Sequence, residues 1–460
     1  MRKFQKTDNG MFEPCLNKIQ KTGCERKPIT DIPSFVRNPP FVANEKGIVF
    51  DNELCERFSI TYDELSRKVL FIGDSGEGKT NAFYQLFEKV ADISNHTNIN
   101  IIFDSKGDFK RKFADSSTDT VIIDSFVFNG NSQSNGLQIW NLFEELIADK
   151  NNLEQAAREF AKLLVGNRIK ESGRQKFFID ASVEMLAAAM LVLLQDYYVK
   201  GIYPTNKTLV QFLRMSPEAI LKRAEEYGFD KRIENYIVPK GKGAYNGKTL
   251  GVMAEVNNII SDLFIGSFGE NGSFSIRQAI RDNKSMNIFI EYDVQYGETL
   301  KPIYTALISL AVKEVMGRNN GSRVNLFIDE FGLLDFIPDM ESAVSFGREQ
   351  GLFIAIGFQH IGQIRNKYEK DCADGMLNNF RNLIIFKTTD FETRDFIKNR
   401  YGTVNKPVRQ YLSLSDKYFS NVRETKITDE DILSLNRGEA LVSTADNKNV
   451  FKFRFRQVKE

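Results

Sequence analysis

The residues Gly73-Asp74-Ser75-Gly76-Glu77-Gly78-Lys79-Thr80 fit the phosphate-loop pattern G-x-x-x-x-G-K-[ST]. The apolar run 69–72 leads directly into this loop. A helical pattern follows it, with apolar residues at i, i+3, i+4 and i+7, namely Phe83, Leu86, Phe87 and Val90. Because phosphate loops join a buried strand to a helix, the sequence predicts a nucleotide site in an α/β fold. The alternative is a glycine turn that happens to precede Lys79 and Thr80.

Each part of this loop has an expected chemical role. Glycines let the backbone curl so that successive N–H groups point into one cavity. The helix N-terminus adds a partial positive charge there. We therefore expect residues 73–80 to bind the phosphates, with Lys79 reaching the β- and γ-phosphates and Thr80 holding Mg²⁺. Asp74 and Glu77 are unusual beside phosphates, but side chains of such a loop can point outward.

Length and charge bound the organisation of the chain and its partners. With 460 residues the chain exceeds what one hydrophobic core usually serves, so two or three domains are expected. Its 62 Lys and Arg residues nearly balance its 61 Asp and Glu residues, giving a net charge of +1. Since there is no global basic field, nucleic-acid binding would have to use local patches or a channel built by several subunits.

The cysteines and apolar runs of the sequence indicate the cellular compartment, and its histidines bear on metal binding. The four cysteines, Cys15, Cys24, Cys55 and Cys372, form no C-x-x-C pair, which suits a reducing cytoplasm. The presence of only two histidines, His96 and His360, argues against a zinc centre. The longest strongly apolar stretch, 185–194, is too short to span a bilayer, and no apolar signal-peptide core follows the charged N-terminus. We therefore expect a cytoplasmic protein.

The sequence pattern divides the chain into three parts. Residues 1–60 are irregular and contain several prolines, which predicts an N-terminal arm with room for one short hairpin. Strand and helix patterns alternate over 61–142 and 246–460, which predicts one α/β domain built from two segments. Residues 143–245 are dense in helix formers and poor in strand runs, which predicts an inserted all-α domain.

Short apolar runs of the kind that is buried in parallel sheets recur in the α/β domain. Beyond 69–72 they are 99–103, 121–123, 287–291, 324–328, 352–356 and 383–386. A helix is predicted over 301–316, with Pro302 near its start and Gly317 after its end. We therefore expect a mostly parallel sheet with helices between its strands.

Asp329 and Glu330 directly follow the apolar run 324–328. A phosphate loop needs an acid that holds Mg²⁺ and a base that orients the attacking water. This pair has the form of a hydrolytic Walker B site, with Asp329 for Mg²⁺ and Glu330 for the water. Two adjacent carboxylates are weak evidence alone, and the alternative is a charged strand exit. A glutamate next to the Mg²⁺ acid favours a motor that couples ATP turnover to motion.

Several segments together resemble the ATPase core of type IV secretion coupling proteins, the TraG/TraD-like members of the FtsK/HerA-type P-loop motors. They are 103–108, 325–332, 337–341, 347–352, 357–359, 377–380 and 388–393. The resemblance covers roughly residues 65–400, with the motifs in the family's order. It implies a RecA/FtsK-like P-loop NTPase fold with an inserted all-α domain, and ATP and Mg²⁺ as ligands. The choice of ATP over GTP depends on the resemblance, because no base-reading motif is visible.

The resemblance also implies roles for two residues that the sequence alone would not assign. Arg348 matches an arginine finger that acts on a neighbouring subunit's nucleotide and stabilises charge on the transferred phosphoryl group. Gln359 matches a glutamine that lies near the γ-phosphate and senses the nucleotide state. The alternatives are a charge on a helix face for Arg348 and a strand-end glutamine that caps a loop for Gln359.

The resemblance implies a function, and the sequence leaves parts of that function open. The first hypothesis is a homo-hexameric, ATP-hydrolysing translocase that feeds DNA, or DNA bound to a relaxase or other protein cargo, into a conjugation machine. Members usually carry N-terminal membrane helices, which this sequence lacks, so a membrane-embedded secretion subunit would dock it at the inner face of the membrane. The alternatives are an FtsK/HerA-type translocase without a secretion role, and an ATP-gated receptor that recruits protein substrates through the helical domain.

Overall fold

The computed structural model describes most of the chain. The described residues are 36–37, 47–92, 98–114, 119–126, 136–149, 152–166, 168, 174–241, 244–317, 323–411, 417–446 and 450–458. Cys15, Cys24, His96 and most of the arm predicted for 1–60 therefore lie outside the described residues.

A ten-stranded sheet forms the centre of the molecule, in the order β1-β16-β15-β12-β4-β11-β10-β5-β9-β6. Among these strands β15 runs antiparallel to its neighbours, and the other pairs are parallel. The strands are β1 Val36–Arg37, β4 Val69–Ile72, β5 Asn98–Asp104, β6 Thr120–Ile123, β9 Met286–Glu291, β10 Arg323–Ile328, β11 Leu352–Phe358, β12 Asn382–Phe386, β15 Glu439–Ser443 and β16 Val450–Arg454. The mostly parallel sheet that the apolar runs predict is present.

Three antiparallel hairpins lie outside this sheet in the described chain. They are β2 Gly47–Asp51 with β3 Arg57–Thr61, β7 Pro239–Gly241 with β8 Ala244–Tyr245, and β13 Thr403–Tyr411 with β14 Lys417–Thr425. The hairpin β2–β3 buries Phe50 and Phe58, whose rings stack at 4.7 Å. Both rings also meet Phe455 of the C-terminal segment, which fixes the hairpin against the sheet domain.

Helices pack against the sheet, and those over residues 142–282, here called the helical layer, separate β6 from β9 along the chain. They are α1 Tyr62–Leu65, α2 Lys79–Asp92, α3 Asp108–Phe113, α4 Leu142–Ile147, α5 Leu153–Val165, α6 Arg174–Lys200, α7 Asn206–Leu213, α8 Pro217–Glu225, α9 Asp230–Ile233, α10 Gly247–Leu263, α11 Ile276–Asp282, α12 Gly297–Met316, α13 Met340–Phe346, α14 Ile361–Tyr368, α15 Lys370–Asn378, α16 Phe391–Tyr401 and α17 Asp429–Leu433. Short 3₁₀ turns occur at Gly266–Gly269 and Phe331–Leu333.

The central strands are buried on both faces, which explains their continuous apolar sequences. Every residue of β4, β5, β11 and β12 is buried. Successive side chains point to opposite faces, so Leu70 and Ile72 join the larger core, whereas Val69 and Phe71 join a second, phenylalanine-rich core. Helix α2 packs into this second core through Phe83. The helix that follows the phosphate loop is therefore anchored on the strand that precedes it.

Parallel pairing brings several strand ends to one edge of the sheet. Ile72 at the end of β4 is paired with Phe358 of β11. Ile328 at the end of β10 is paired with Ile356 of β11 and Phe103 of β5. The segments that follow these strands therefore meet at the carboxyl edge of the sheet, which is where parallel α/β folds bind ligands.

Helix α6 is the longest helix of the described chain and lies in the helical layer. It extends well beyond the apolar stretch 185–194, and by length and composition alone Gln175–Lys200 could cross a membrane. Most of its apolar window, 72%, is buried inside the protein, as in the core helix of a folded domain. Helix α10 packs closely on α6, because a Cβ atom at Gly251 would lie 2.4 Å from Cε1 of Phe178.

One helix boundary differs from the prediction. Helix α12 begins at Gly297, four residues before the predicted start, and Pro302 lies within it. As the sixth residue of the helix, Pro302 cannot donate to the Glu298 carbonyl, and its ring crowds that carbonyl, so packing of the helix must offset this cost. The buried face of α12 continues through both sides of this residue, with Leu300 and Ile303 fully buried.

Candidate active site

The phosphate loop connects β4 to α2 and turns through residues that require glycine. Gly73, Gly76 and Gly78 have φ angles of 152°, 83° and 112°. A Cβ atom at Gly73 would lie 2.6 Å from Cβ of Phe386, and one at Gly78 would lie 3.1 Å from Cα of Gly438. The loop therefore depends on glycine both for its backbone conformation and for its close packing on the end of β12.

The two acids of the loop have structural contacts. The Asp74 carboxylate accepts hydrogen bonds from the backbone N–H (2.9 Å) and the hydroxyl (2.7 Å) of Thr389. Burial acts to raise the pKa of Asp74, but these hydrogen bonds outweigh it and hold the pKa below its ordinary value. Glu77 accepts from Gly438 N–H through its backbone carbonyl, at 2.9 Å. Ser75 and Gly76 are exposed between them at the tip of the loop.

Lys79 begins α2 and is buried with its ammonium inside the loop. Its Nζ donates to the carbonyls of Gly73 at 2.5 Å and Asp74 at 3.0 Å. Burial lowers the pKa of Lys79, and the nearby carboxylates of Glu330 and Asp329 oppose this change. The cation is therefore held at the loop by backbone carbonyls, where incoming phosphate oxygens would meet it.

Asp329 lies at the end of β10, next to the start of α2. Its carboxylate accepts hydrogen bonds from the Thr80 hydroxyl, at 3.3 and 3.2 Å to its two oxygens, and from the Ser105 hydroxyl at 3.2 Å. Burial, followed by the charge of Glu330, raises the pKa of Asp329 to about 6. At neutral pH this carboxylate is ionised, and together with Thr80 it offers the oxygen ligands that Mg²⁺ prefers.

Glu330 and Gln359 meet across the ends of β10 and β11. The Gln359 side-chain amide donates to Oε2 of Glu330 at 2.8 Å. The other carboxylate oxygen, Oε1, is buried and has no hydrogen-bond partner among the described residues. A buried acceptor without a partner is suited to orient a water molecule for attack.

Arg348 lies away from these groups. It follows α13 and precedes the first residue of β11, so it is at the amino edge of the sheet, whereas the phosphate loop is at the carboxyl edge. The length of β11 separates the two edges by about 20 Å. Arg348 is about half exposed and forms an ion pair with Asp63 of α1. The structure therefore brings together residues 73–80, Asp329, Glu330 and Gln359, but not Arg348.

Four further residues contact this site without having been predicted. Ser105 and Thr389 hold Asp329 and Asp74, as described above. Gln363 and Lys367 of α14 contact the segments next to Gln359 and Glu330, Gln363 by accepting from Gln359 N–H at 3.1 Å and Lys367 by donating to the Gly332 carbonyl at 2.7 Å. Ser105 and Thr389 lie in the segments 103–108 and 388–393 that resemble the family, whereas the only sequence signal for Gln363 and Lys367 is their position after a predicted strand.

Comparison with known proteins identifies the family. The family described as type IV secretion-system coupling protein DNA-binding domain matches residues 57–456. The chain belongs to this family. The resemblance that the motifs indicate is thereby confirmed, and placement within the FtsK-type P-loop motors is consistent with it.

Two relatives are conjugal transfer proteins. The probable conjugal transfer protein TraG of Sinorhizobium fredii is 26% identical over 171 residues, which are 35% of this chain and 27% of that protein. The conjugal transfer protein TraG of Agrobacterium fabrum is 21% identical over 305 residues, which are 62% of this chain and 45% of that protein. The matched parts of this coupling-protein chain therefore span less than half the length of either relative.

Solved structures share the fold. The unbound bacterial conjugative coupling protein TrwB superposes with a TM-score of 0.70 at 19% identity, covering 92% of this chain and 94% of that one. TrwB in complex with ADP and Mg²⁺ gives a TM-score of 0.66 at 20% identity, covering 92% and 95%. VirB4 of Thermoanaerobacter pseudethanolicus gives 0.54 at 14% identity, covering 92% and 99%. The predicted fold class, an α/β P-loop NTPase with a mostly parallel sheet and a helical part, is confirmed.

Proposed function

We propose that this coupling-protein chain is an ATP-hydrolysing subunit that drives DNA, or a DNA–protein complex, into a conjugative type IV secretion machine. The observation that carries the proposal is the meeting of Lys79, Thr80, Asp329, Glu330 and Gln359 at one edge of the sheet, in a chain of the coupling-protein family. A phosphate loop, an ionised acid and an oriented base are the parts that nucleotide hydrolysis requires.

The side chains divide the chemistry between them. Lys79 and the backbone N–H groups of residues 73–80 would bind the β- and γ-phosphates. Thr80 and Asp329 would hold Mg²⁺, which neutralises phosphate charge when bound. Glu330 would orient the attacking water through its unpaired oxygen, while Gln359 fixes the carboxylate through the other oxygen. In this division Gln359 also links the position of Glu330 to the end of β11.

The nucleotide is proposed from two lines of support. Structures of TrwB are described with the GTP analogue GDPNP, with ADP and Mg²⁺, and with the ATP analogue ADPNP. The oxygen-rich surroundings of Thr80 and Asp329 fit Mg²⁺ in this chain. We propose ATP as the substrate because the motifs of this chain resemble those of ATP-driven coupling motors, and a direct comparison of ATP with GTP hydrolysis tests this choice.

We further propose that the subunits form a homo-hexameric ring in which Arg348 acts on the neighbour's nucleotide. Arg348 is about 20 Å from the carboxyl edge of its own sheet, so a nucleotide that it contacts must be bound by another copy. Its side chain is half exposed and its partner, Asp63, is equally accessible. Such a position is suited to a contact between subunits.

The remaining parts of the proposal concern organisation and partners. We propose an arm over 1–60, a motor domain over 61–142 and 246–460, and an all-α insert over 143–245, with the close packing of α10 on α6 extending the helical layer beyond the insert. Family membership is compatible with a cytoplasmic or membrane-associated protein. Of these two locations, we propose a cytoplasmic protein that a membrane-embedded secretion subunit holds at the inner face of the membrane. We propose a relaxase or other protein as its cargo.

Steady-state ATP hydrolysis, with and without single- or double-stranded DNA, tests the proposal. We expect DNA to stimulate turnover, and Lys79→Ala to abolish both basal and stimulated turnover. The comparison of single-stranded with double-stranded DNA identifies which form the motor binds, namely the one that stimulates turnover more strongly. Wild-type protein without ATP turnover in all three conditions would contradict the proposal.

A second candidate function is an ATP-gated receptor for protein substrates. The observation that favours it is a cluster of exposed large side chains at and after the end of α6, formed by Tyr198, Val199, Ile202 and Tyr203. Exposed apolar patches on soluble domains often mark protein interfaces. Val199→Asp and Ile202→Asp would weaken binding of a purified protein cargo and leave DNA stimulation unchanged if this function is correct.

A further inference from the structure

Helix α14 begins at Ile361, two residues after Gln359, and directs two polar side chains toward the hydrolytic end of the site. Gln363 and Lys367 are four residues apart, so they lie on the same face of the helix. The two strand ends that carry Glu330 and Gln359 are next to this face. One helix therefore contacts the backbone beside both groups that would act on the water.

Gln363 fixes the backbone at Gln359. Its Oε1 accepts hydrogen bonds from the N–H groups of Gln359 at 3.1 Å and His360 at 3.3 Å. Its amide lies against Gly332, where a Cβ atom would be 2.6 Å from Nε2 of Gln363 and 3.0 Å from Oε1 of Glu330. Gln363 is therefore packed between the two strand ends, and any side chain at position 332 would disturb it.

Lys367 fixes the backbone after Glu330. Its Nζ donates to the carbonyls of Phe331 at 3.1 Å and Gly332 at 2.7 Å, and lies 5.8 Å from the centre of the Phe331 ring. The next residue, Tyr368, stacks on Phe331 and accepts a hydrogen bond from Ile337 N–H at 3.0 Å. The segment from Phe331 to Ile337 is thus held along its length by the end of α14.

Holding the charged ammonium of Lys367 beside these carbonyls costs electrostatic free energy. Burial, together with the charge of Lys301, lowers the pKa of Lys367 to about 8, against the opposing charges of Asp335, Glu330 and Glu298. Among the described residues, its hydrogen bonds go to the backbone carbonyls of Phe331 and Gly332. A cation that serves only solubility would lie at the surface, so its position indicates that the two carbonyls require it.

We propose that Gln363 and Lys367 are positioning residues for nucleotide hydrolysis, which hold Gln359 and Glu330 in register with each other across the ends of β11 and β10. Neither residue contacts the Glu330 carboxylate through a hydrogen bond of its own, so both act through the backbone that carries the reacting groups. This inference depends on the proposed function. It adds that α14 transmits a displacement of Gln359 to the segment that follows Glu330.

Variants of α14 test the inference by separating turnover from binding. We expect Lys367→Met and Gln363→Leu to lower kcat about 10- to 100-fold, since small misplacements of reacting groups have effects of this size. The affinity for a fluorescent ATP analogue should stay within about 2-fold, because neither residue contacts the phosphate loop. Lys367→Arg should recover most of the activity, and Asn366→Ala, at an exposed position of the same helix, should behave as wild type.

Stability and pH give readouts that a merely structural role would not reproduce. Because Lys367 is desolvated, Lys367→Met should leave Tm unchanged or raise it while kcat falls. In the wild type kcat should fall as the pH rises through about 8, where the ammonium is lost. Lys367→Arg stays charged and should remove this alkaline limb, whereas an unchanged limb would assign it to another group such as Lys79.

Amide exchange of the nucleotide-free protein separates failure of this inference from failure of the proposed function. Lys367→Met should speed exchange across residues 333–337 by about 10-fold or more, and Asn366→Ala should not. Wild-type protein without turnover would overturn the proposed function, while exchange would still report on the contacts of Gln363 and Lys367. Unchanged kcat and unchanged exchange in both α14 variants, or equal losses of kcat and affinity, would overturn the inference.

Discussion

The two edges of the central sheet use their charges in different ways. At the carboxyl edge Lys79, Asp329 and Glu330 are bound by hydrogen bonds from the same chain, and burial changes the pKa values of Lys79 and Asp329. At the amino edge Arg348 and Asp63 pair in the open, and side chains of this kind exchange partners readily. The first edge is built as a site, whereas the second presents charges that a neighbour can use.

This difference indicates how one nucleotide site would be assembled from two chains. The carboxyl edge holds the phosphate loop and the water-orienting pair, whereas Arg348 of the same chain lies at the other edge. The amino edge has Arg348, with Lys68 buried close by, where burial and the charge of Arg348 lower the Lys68 pKa to about 8. Joining the two edges of neighbouring copies would bring Arg348 to the nucleotide.

The largest expected effect comes from the amino edge. Arg348→Ala should lower ATP turnover by about 10³-fold or more, the size measured for arginine fingers, while ATP binding stays within about 3-fold. Turnover and binding of a fluorescent ATP analogue measure the two quantities separately. The matched control is Lys370→Ala, at an exposed cation of α15. Normal turnover in Arg348→Ala would remove the amino edge from the mechanism.

The next effect is at the carboxyl edge. Glu330→Gln should lower kcat by about 10²- to 10⁴-fold, the usual contribution of a positioned base, and retain nucleotide binding. Glu349→Gln, at an exposed acid beside Arg348, controls for the loss of one negative charge. A variant that loses binding and turnover together would show that Glu330 supports the site rather than the attacking water.

Asp329 gives a smaller effect that depends on pH. Because burial raises its pKa to about 6, the carboxylate becomes protonated as the pH falls through 6. Below this value Mg²⁺-dependent nucleotide affinity should fall by up to about 10-fold per pH unit. Folding stability changes with pH in the opposite direction. Because folding raises the pKa of Asp329, keeping the carboxylate ionised above pH 6 costs folding free energy. Asp329→Asn should therefore raise the free energy of unfolding at pH 8 by about 1–3 kcal/mol, which calorimetry measures. The same variant should abolish the pH dependence of nucleotide binding, which titration measures.

The smallest effect concerns the ion pair at the amino edge. Asp63→Asn should change ATP turnover by less than about 3-fold, because exposed ion pairs contribute little and are screened by salt. An increase in turnover would indicate that Asp63 restrains Arg348, and a comparison at low and high salt would show whether the restraint is electrostatic. A loss as large as that of Arg348→Ala would mean that Asp63 positions the arginine for its partner.

The sequence predicted the parts of the site that lie within continuous segments. Buried parallel strands are apolar runs, so the strands and the groups that directly follow them, Lys79 and Asp329 among them, could be read in order. Contacts such as Ser105 with Asp329 depend on β5 lying next to β10, and Thr389 with Asp74 on β12 lying next to β4. The order of strands in a sheet is a result of packing, which no local pattern specifies. The roles of Arg348 and Gln359, and the domain boundaries, stay predictions.

A mixing experiment tests most directly whether the two edges come from different chains. Glu330→Gln has an intact amino edge, and Arg348→Ala has an intact carboxyl edge. A ring made of either variant alone therefore contains no site in which both edges are wild type. We predict that an equal mixture of the two purified variants regains ATP turnover, because about one in four interfaces in a mixed ring joins both intact edges. If the mixture stays as inactive as each variant alone, although the subunits are shown to exchange, the site is not shared between chains.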